Sequence, residues 1–354
     1  MDRNLESGVT RYMTVNRSTE KPRVLVLPGP VLYKRLFNPA VDARLRAFAD
    51  VTFNDSDENW TSERLAAEVG PYDGIVTCWG SPQITPEVLD NAPNLKVIAH
   101  SAGSVKAIIK EHVLERGIKV SSASIAMAPA VAEFALILTF LGLRPVHEYD
   151  YGLRRADRRW DSQEAFGIGQ EIASSRIGVV GAGMVGRLYI RKAAALGAEV
   201  CVHDPYLSDA AATELGATKL ELDDLFATCP VVVIHAPTTP ETHHMIGSRQ
   251  LALLPDNGYL VNTARSWVVD QDALLAELRS GRIRAALDVF DTEPMALDHP
   301  FRSLPNVLLT PHIAGATQQT RDRQGDCAVT DLENALAGRP LQYEVTLERY
   351  PILA

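Results

Sequence analysis

Cysteine is scarce in this chain: Cys78, Cys201, Cys229 and Cys327 are its four, scattered with no C-x-x-C pair. Such spacing suggests neither a zinc site nor a disulfide framework, and a reduced, cytoplasmic setting fits it best. Basic residues are outnumbered too. The 35 Lys and Arg against 44 Asp and Glu leave a net charge of -9, which argues against nucleic acid as a partner, because phosphate binding usually needs a basic surface. An anionic small molecule stays compatible, since it needs only a local cationic pocket. A membrane span would need about 20 unbroken apolar residues. The most apolar segment, Ala126 to Leu143, is interrupted by Pro129, Glu133 and Gly142 and reads as a buried helix. The opening MDRNLESGVTRYMTVNRSTE holds no apolar stretch of the secretory kind and reads as a flexible arm over residues 1–22.

What is present is more specific. The 354 residues suit two domains, each large enough for a core. The chain is organised around IGVVGAGMVGRLYIRKAAALGAEVCVHD, from Ile177 to Asp204. An apolar run enters a turn with Gly181, Gly183 and Gly186 in the G-x-G-x-x-G pattern, enclosing Met184 and Val185. Gly181 suits a tight turn, Gly183 leaves room for a pyrophosphate, and Gly186 lets a helix pack closely on its strand. The helix start then faces phosphates with free N–H groups and a positive dipole end. Asp204 ends the next apolar run, where a ribose-binding carboxylate belongs, and it favours NAD over NADP. A structural βαβ turn without ligand is the bland alternative.

Elsewhere apolar runs alternate with helical stretches, which implies parallel sheets covered on both faces. In the first half the strand candidates are Val24–Leu27, Gly74–Cys78 and Leu95–Ala99. From residue 176 six more follow: Ile177–Val180, Glu199–His203, Val231–His235, Gly258–Asn262, Ile283–Asp288 and Val307–Thr310. The polar Tyr151–Gly169 reads as a connection, and a long helix over Thr317–Leu336 stops at Gly338-Arg339-Pro340. The expected architecture is α/β, with two Rossmann-like or flavodoxin-like domains. The cofactor domain, 126–317, is inserted into a discontinuous substrate domain of 23–125 and 318–354.

Three polar stretches follow strands of the second sheet: Asn262-Thr263-Ala264-Arg265-Ser266, Asp288 to Pro294, and Thr310 to Gly315. Ligands of open α/β sheets bind there. An arginine can hold a carboxylate bidentately, and a histidine beside a carboxylate can exchange a proton near neutral pH. Arg265, Glu293 and His312 thus form a candidate triad. Singly, each has an ordinary structural explanation.

Jointly these pieces resemble a known family. ITPEVLDNAPNLKVIAHSAG (Ile84–Gly103), VAEFALILTFLGL, the fingerprint with Asp204, HAPTTPETHHMI, NTARSWVVD, LDVFDTEP and LLTPHIAGAT are similar to the D-isomer-specific 2-hydroxyacid dehydrogenases. That is the family of phosphoglycerate, glycerate and D-lactate dehydrogenases. The resemblance implies hydride transfer between NAD and C2 of a 2-hydroxyacid. It implies Arg265 for the substrate carboxylate, His312 as acid/base and Glu293 as its partner. Asp288 would face the nicotinamide amide. His235, Ala236, Pro237, Thr242, Thr263, Ala264 and Ala314 would line the cofactor. Backbone N–H groups at Ala102, Gly103 and Ser104 would help hold the substrate carboxylate. A homodimer is implied too, with Ala126–Leu143 lending apolar surface; a mass of one 38.7 kDa chain in solution would count against it.

The chain departs from the family at three places. Ala102, Gly103, Ser104, Val105 and Lys106 stand where G-x-G-x-D is usual. Lys106 is either a second cation for the substrate or an exposed helix lysine. Trp79 stands in a loop that commonly carries a cation in phosphoglycerate enzymes, which favours a partly apolar substrate unless the indole only packs. Ser266 replaces a glycine after Arg265, where positive φ would be harder to reach. His243 and His244 read as surface. The competing function is an NAD(H)-sensing, corepressor-like binding protein without turnover. Formate dehydrogenase fits less well, because that enzyme uses glutamine where Glu293 stands.

Overall fold

The computed structural model describes residues 20–154 and 169–353. The expected arm over 1–22 lies almost wholly outside the described residues. So does most of the Tyr151–Gly169 connection, whose first residues close the helix Val146–Arg154.

Two parallel sheets organise the rest. The first holds β1 (Arg23–Val26), β2 (Asp50–Phe53), β3 (Gly74–Thr77), β4 (Val97–His100) and β5 (Lys119–Ser122), in the order β2-β1-β3-β4-β5. The second holds β6 (Arg176–Val180), β7 (Glu199–His203), β8 (Ala217–Lys219), β9 (Val231–Ile234), β10 (Tyr259–Asn262), β11 (Arg284–Leu287) and β12 (Val307–Leu309). Its order is β12-β11-β10-β9-β6-β7-β8, seven strands where six were expected. The order reverses at β6, between β9 and β7, and ligands of open α/β sheets bind outside the C-terminal ends of the strands at such a point.

Strands legible in the sequence are mostly interior ones, with β12 at the edge of the second sheet as the exception. β3, β4, β9 and β10 are buried along their whole length and therefore read as unbroken apolar runs. β2, β5 and β8 were missed, for a common reason. β2 and β8 lie at sheet edges and β5 reads KVSS, so none carries an apolar run.

The helix Ala128–Leu143, preceded by a 3-10 turn over Ala123–Met127, is buried on one face only. Thr139 Oγ1 meets Tyr189 OH at 2.7 Å inside the core. Gly142 lets the helix lie on Tyr259, whose ring stands 2.1 Å from where a Cβ would be. Ile137 and Phe140 face outward. Ala123–Leu143 is long and apolar enough to cross a membrane by length and composition, but its inner face is spent on the second sheet.

The last long helix, Gln318–Leu336, returns to the first sheet. Thr317 caps its start by accepting from Thr320 N, and Gly338 follows its end at φ 73°. Leu332 joins the core formed by Val24, Val26 and Val97, and Gly325 passes so close to the Leu36 carbonyl that a Cβ would lie 2.0 Å from it.

Candidate active site

Strand register places the functional loops side by side. Val180, Ile234, Asn262, Leu287 and Leu309 are successive partners across β6, β9, β10, β11 and β12. The residues just after them are therefore neighbours: Gly181, His235, Thr263, Asp288 and Thr310.

Gly181 has φ 97°, and a Cβ there would lie 2.7 Å from Ala236 N. A Cβ on Gly186 would meet the Gly181 carbonyl at 2.0 Å, so that glycine is fixed by packing. Over Gly183 there is nothing within 4 Å. The helix Met184–Ala195 starts there without a side-chain cap, with Met184 exposed and Val185 half-buried. Asp204 accepts from Ala182 N at 2.7 Å and Tyr206 N at 2.9 Å, tying it to the glycine turn. On the other wall Thr242 Oγ1 donates to the Pro237 carbonyl at 2.7 Å and accepts from Thr239 N, which shapes the loop after β9. Among the described residues, neither ring nitrogen of the buried His235 nor the buried Thr263 Oγ1 has a hydrogen-bond partner. An open helix start, a glycine cradle and orphaned polar atoms fit a dinucleotide.

His312 Nδ1 lies 2.6 Å from Glu293 Oε2, and Glu293 Oε1 accepts from Phe290 N at 2.9 Å. A cavity of about 340 Å³ opens beside the pair, lined among others by Phe290, Met295 and Leu309. His312 is held at φ 53°, a left-handed conformation that a non-glycine residue keeps only when its surroundings fix it. Asp288 does the fixing. This fully buried carboxylate accepts from Thr310 Oγ1 at 2.6 Å, Ile313 N at 2.9 Å and Ala314 N at 2.9 Å. Three loop donors on it make Asp288 the fastener of the histidine loop, beside the contact with the nicotinamide amide that the resemblance implies.

Arg265 is set on its turn by Asn262, whose side chain accepts from Ala264 N and donates to the Arg265 carbonyl, each at 3.0 Å. Sequence reasoning passed over this asparagine, since a turn-closing amide carries no pattern of its own. Arg265 Nη1 donates to the adjacent Ala264 carbonyl. Burial lowers the guanidinium's proton affinity, and the Glu293 carboxylate acts the other way. Ser266 costs nothing here, because Ser266–Val268 forms a right-handed 3-10 turn.

The remaining candidates stand on the first sheet. Ala102 is buried, and the Gly103 carbonyl accepts from Ser122 Oγ at 2.9 Å. Lys106 is not an exposed helix lysine. It sits in a turn, and its Nζ donates to the Thr238 carbonyl at 3.1 Å and the Pro351 carbonyl at 3.0 Å, which joins the two sheets and the C-terminal turn. Burial and, second, the Arg265 charge lower its proton affinity. Trp79 is 44% exposed, with the Arg321 guanidinium over its ring. His243 and His244 are exposed and stack on each other, with His243 against Trp267.

Two buried histidines at this edge predict acid sensitivity. Burial pushes the His100 pKa down to about 4 and that of His235 to about 3, against an ordinary 6.5. The unfolded chain therefore takes up protons first, and stability is lost as pH falls below about 6.5 towards those values. The two sites together should cost roughly 4 kcal/mol at pH 5 relative to neutral pH. Denaturant titrations at pH 7.5 and pH 5 measure this; equal stabilities would contradict it.

Comparison with known proteins agrees with this geometry. The family described as "D-isomer specific 2-hydroxyacid dehydrogenase, NAD binding domain" matches residues 134–314. A D-3-phosphoglycerate dehydrogenase of Methanocaldococcus jannaschii is 32% identical over 82% of this chain and 55% of its own length. A glyoxylate reductase of Thermofilum pendens is 33% identical over 83% of this chain and 87% of its own. Among solved structures, a D-lactate dehydrogenase of Treponema pallidum superposes with a TM-score of 0.75 at 28% identity, over 92% of this chain and all of its own. The chain spans about half the length of the phosphoglycerate dehydrogenases it matches. A shared family domain, two parallel sheets and a glycine turn built for NAD lead to one assignment: this chain belongs to the D-isomer-specific 2-hydroxyacid dehydrogenase family, with NAD as its cofactor.

Proposed function

We propose that this chain is an NAD-dependent D-2-hydroxyacid dehydrogenase that works as a 2-ketoacid reductase. The observation that carries the reading is the His312–Glu293 pair, 2.6 Å apart, with the half-buried Arg265 close enough for the Glu293 charge to act on it. Bound NADH supplies the hydride. Glu293 accepts from Nδ1 of His312 and so fixes the ring with Nε2 turned to the substrate. Protonated Nε2 hydrogen-bonds the 2-keto oxygen and releases its proton there as negative charge develops. Arg265 holds the carboxylate with the guanidinium donors that Ala264 leaves free, and the backbone of Ala102–Ser104 faces the same group. Held at both ends, the reacting carbon is presented in one pose.

Gly181, Gly183 and Gly186 would hold the cofactor's pyrophosphate, and Asp204 would take its ribose. In this reading 126–317 is the cofactor domain and 23–125 with 318–354 the substrate domain, in a cytoplasmic homodimer. The outward Ile137 and Phe140 support the dimer.

An NADH-oxidation assay over small, apolar, aromatic and dianionic 2-ketoacids, with NADPH in parallel, tests the reading. NADH-dependent turnover with at least one class is expected, with NADPH much poorer. Tight NADH binding with no turnover of any class would favour the corepressor-like sensor.

A further inference from the structure

The relatives' names span phosphoglycerate, glyoxylate and D-lactate, so the choice of substrate lies with whatever faces the substituent on C2. The structure brings together an unexpected pair beside the candidate substrate loop. Trp79 follows β3, and Arg321 comes from the first turn of the helix Gln318–Leu336, yet the Arg321 Cζ lies 5.6 Å from the indole centroid. The Ala102–Ser104 loop follows β4, which pairs with β3 through Thr77 and His100. The indole, with the guanidinium on it, and that loop therefore leave neighbouring strands at the same edge of the first sheet.

Three features point to a ligand. A guanidinium stacked on a ring spends only its face, so its in-plane N–H donors stay available for a carboxylate or phosphate. Among the described residues no carboxylate pairs with Arg321, and its side chain has no hydrogen-bond acceptor. A cation in the first turn of a helix also opposes the macrodipole, a placement that packing alone does not favour. Its charge reaches the core beneath the indole: burial pushes the Cys78 thiol up to about 11, and Arg321 is the last of the groups that pull against it. Lys106, the cation that the sequence brought forward, is committed to two backbone carbonyls.

We propose that Arg321, seated on Trp79, binds a second anionic group of the substrate, so that the enzyme prefers 2-ketoacids ending in a carboxylate or phosphate. This rests on the reductase reading above and replaces the partly apolar substrate expected from Trp79 alone. The indole becomes the platform for the guanidinium.

The test compares 2-oxopentanoate with 2-oxoglutarate, equal in chain length and differing by a terminal carboxylate; 3-phosphooxypyruvate separates a phosphate preference from a carboxylate one. The wild type should favour one of the dianions. Arg321→Gln should cut kcat/KM for that dianion about 10- to 100-fold, mainly through KM, and leave 2-oxopentanoate within about twofold. Arg321→Lys should recover part of the loss. Equal losses on all three substrates, or a wild-type preference for 2-oxopentanoate, would overturn the assignment and leave the reductase reading standing. NADH binding without turnover of any 2-ketoacid would bring down that reading and this assignment with it.

Discussion

His312→Asn should lower turnover of every accepted 2-ketoacid by roughly 10²- to 10⁴-fold, the usual worth of a positioned general acid. NADH affinity should stay within about twofold. Asparagine is the right replacement because position 312 sits at φ 53°, and asparagine is among the few residues that adopt this region readily. The loop is also held from outside residue 312, by Asp288 on Thr310, Ile313 and Ala314, so the backbone should survive. What is lost is the proton, because an amide near neutral pH has none to give. Glu293→Gln should fall between, since the amide keeps a contact to Nδ1 but carries no charge to support an imidazolium. Near-normal turnover of His312→Asn at saturating NADH would move the acid/base role to another residue.

The parts of this site legible in the sequence are those where chemistry and backbone geometry impose a local pattern. Gly181, Gly183, Gly186 and Asp204 lie within one βαβ unit: Gly181 and Gly186 answer close contacts with the next strand's end and the turn itself, and Asp204 ties back to the same turn. The three polar loops were visible because buried parallel strands end in sharp apolar-to-polar transitions. Contacts between distant segments were not visible. Lys106 reaches Thr238 and Pro351, and Arg321 reaches Trp79, only because the chain crosses between sheets and returns. Asp288 was visible as a strand-end acid, but the three loop donors that it fastens were not. A carboxylate that fastens a loop and one that faces a ligand have the same sequence signature.

Gly186→Ala should destabilise the chain by about 3 kcal/mol or more and abolish measurable NADH binding. The added Cβ would stand 2.0 Å from the Gly181 carbonyl oxygen and 3.0 Å from its carbon. Both are backbone atoms, so no rotamer change relieves the clash. The helix Met184–Ala195 must lift from β6, which opens the contacts of Tyr189 and Ile190 with the core. Gly183→Ala is the informative partner. Its φ of -69° suits alanine, and nothing lies within 4 Å of the new methyl, so its melting curve should match the wild type. The same methyl would occupy the space through which a pyrophosphate approaches the helix start, and NADH affinity should fall about tenfold or more. Unfolding midpoints and NADH fluorescence titrations of both variants separate packing from ligand approach. A Gly183→Ala protein that binds NADH as the wild type does would remove the pyrophosphate from this loop. An unshifted midpoint for Gly186→Ala would show that the helix has room the packing denies it, and with that the steric reason for glycine at this position would go.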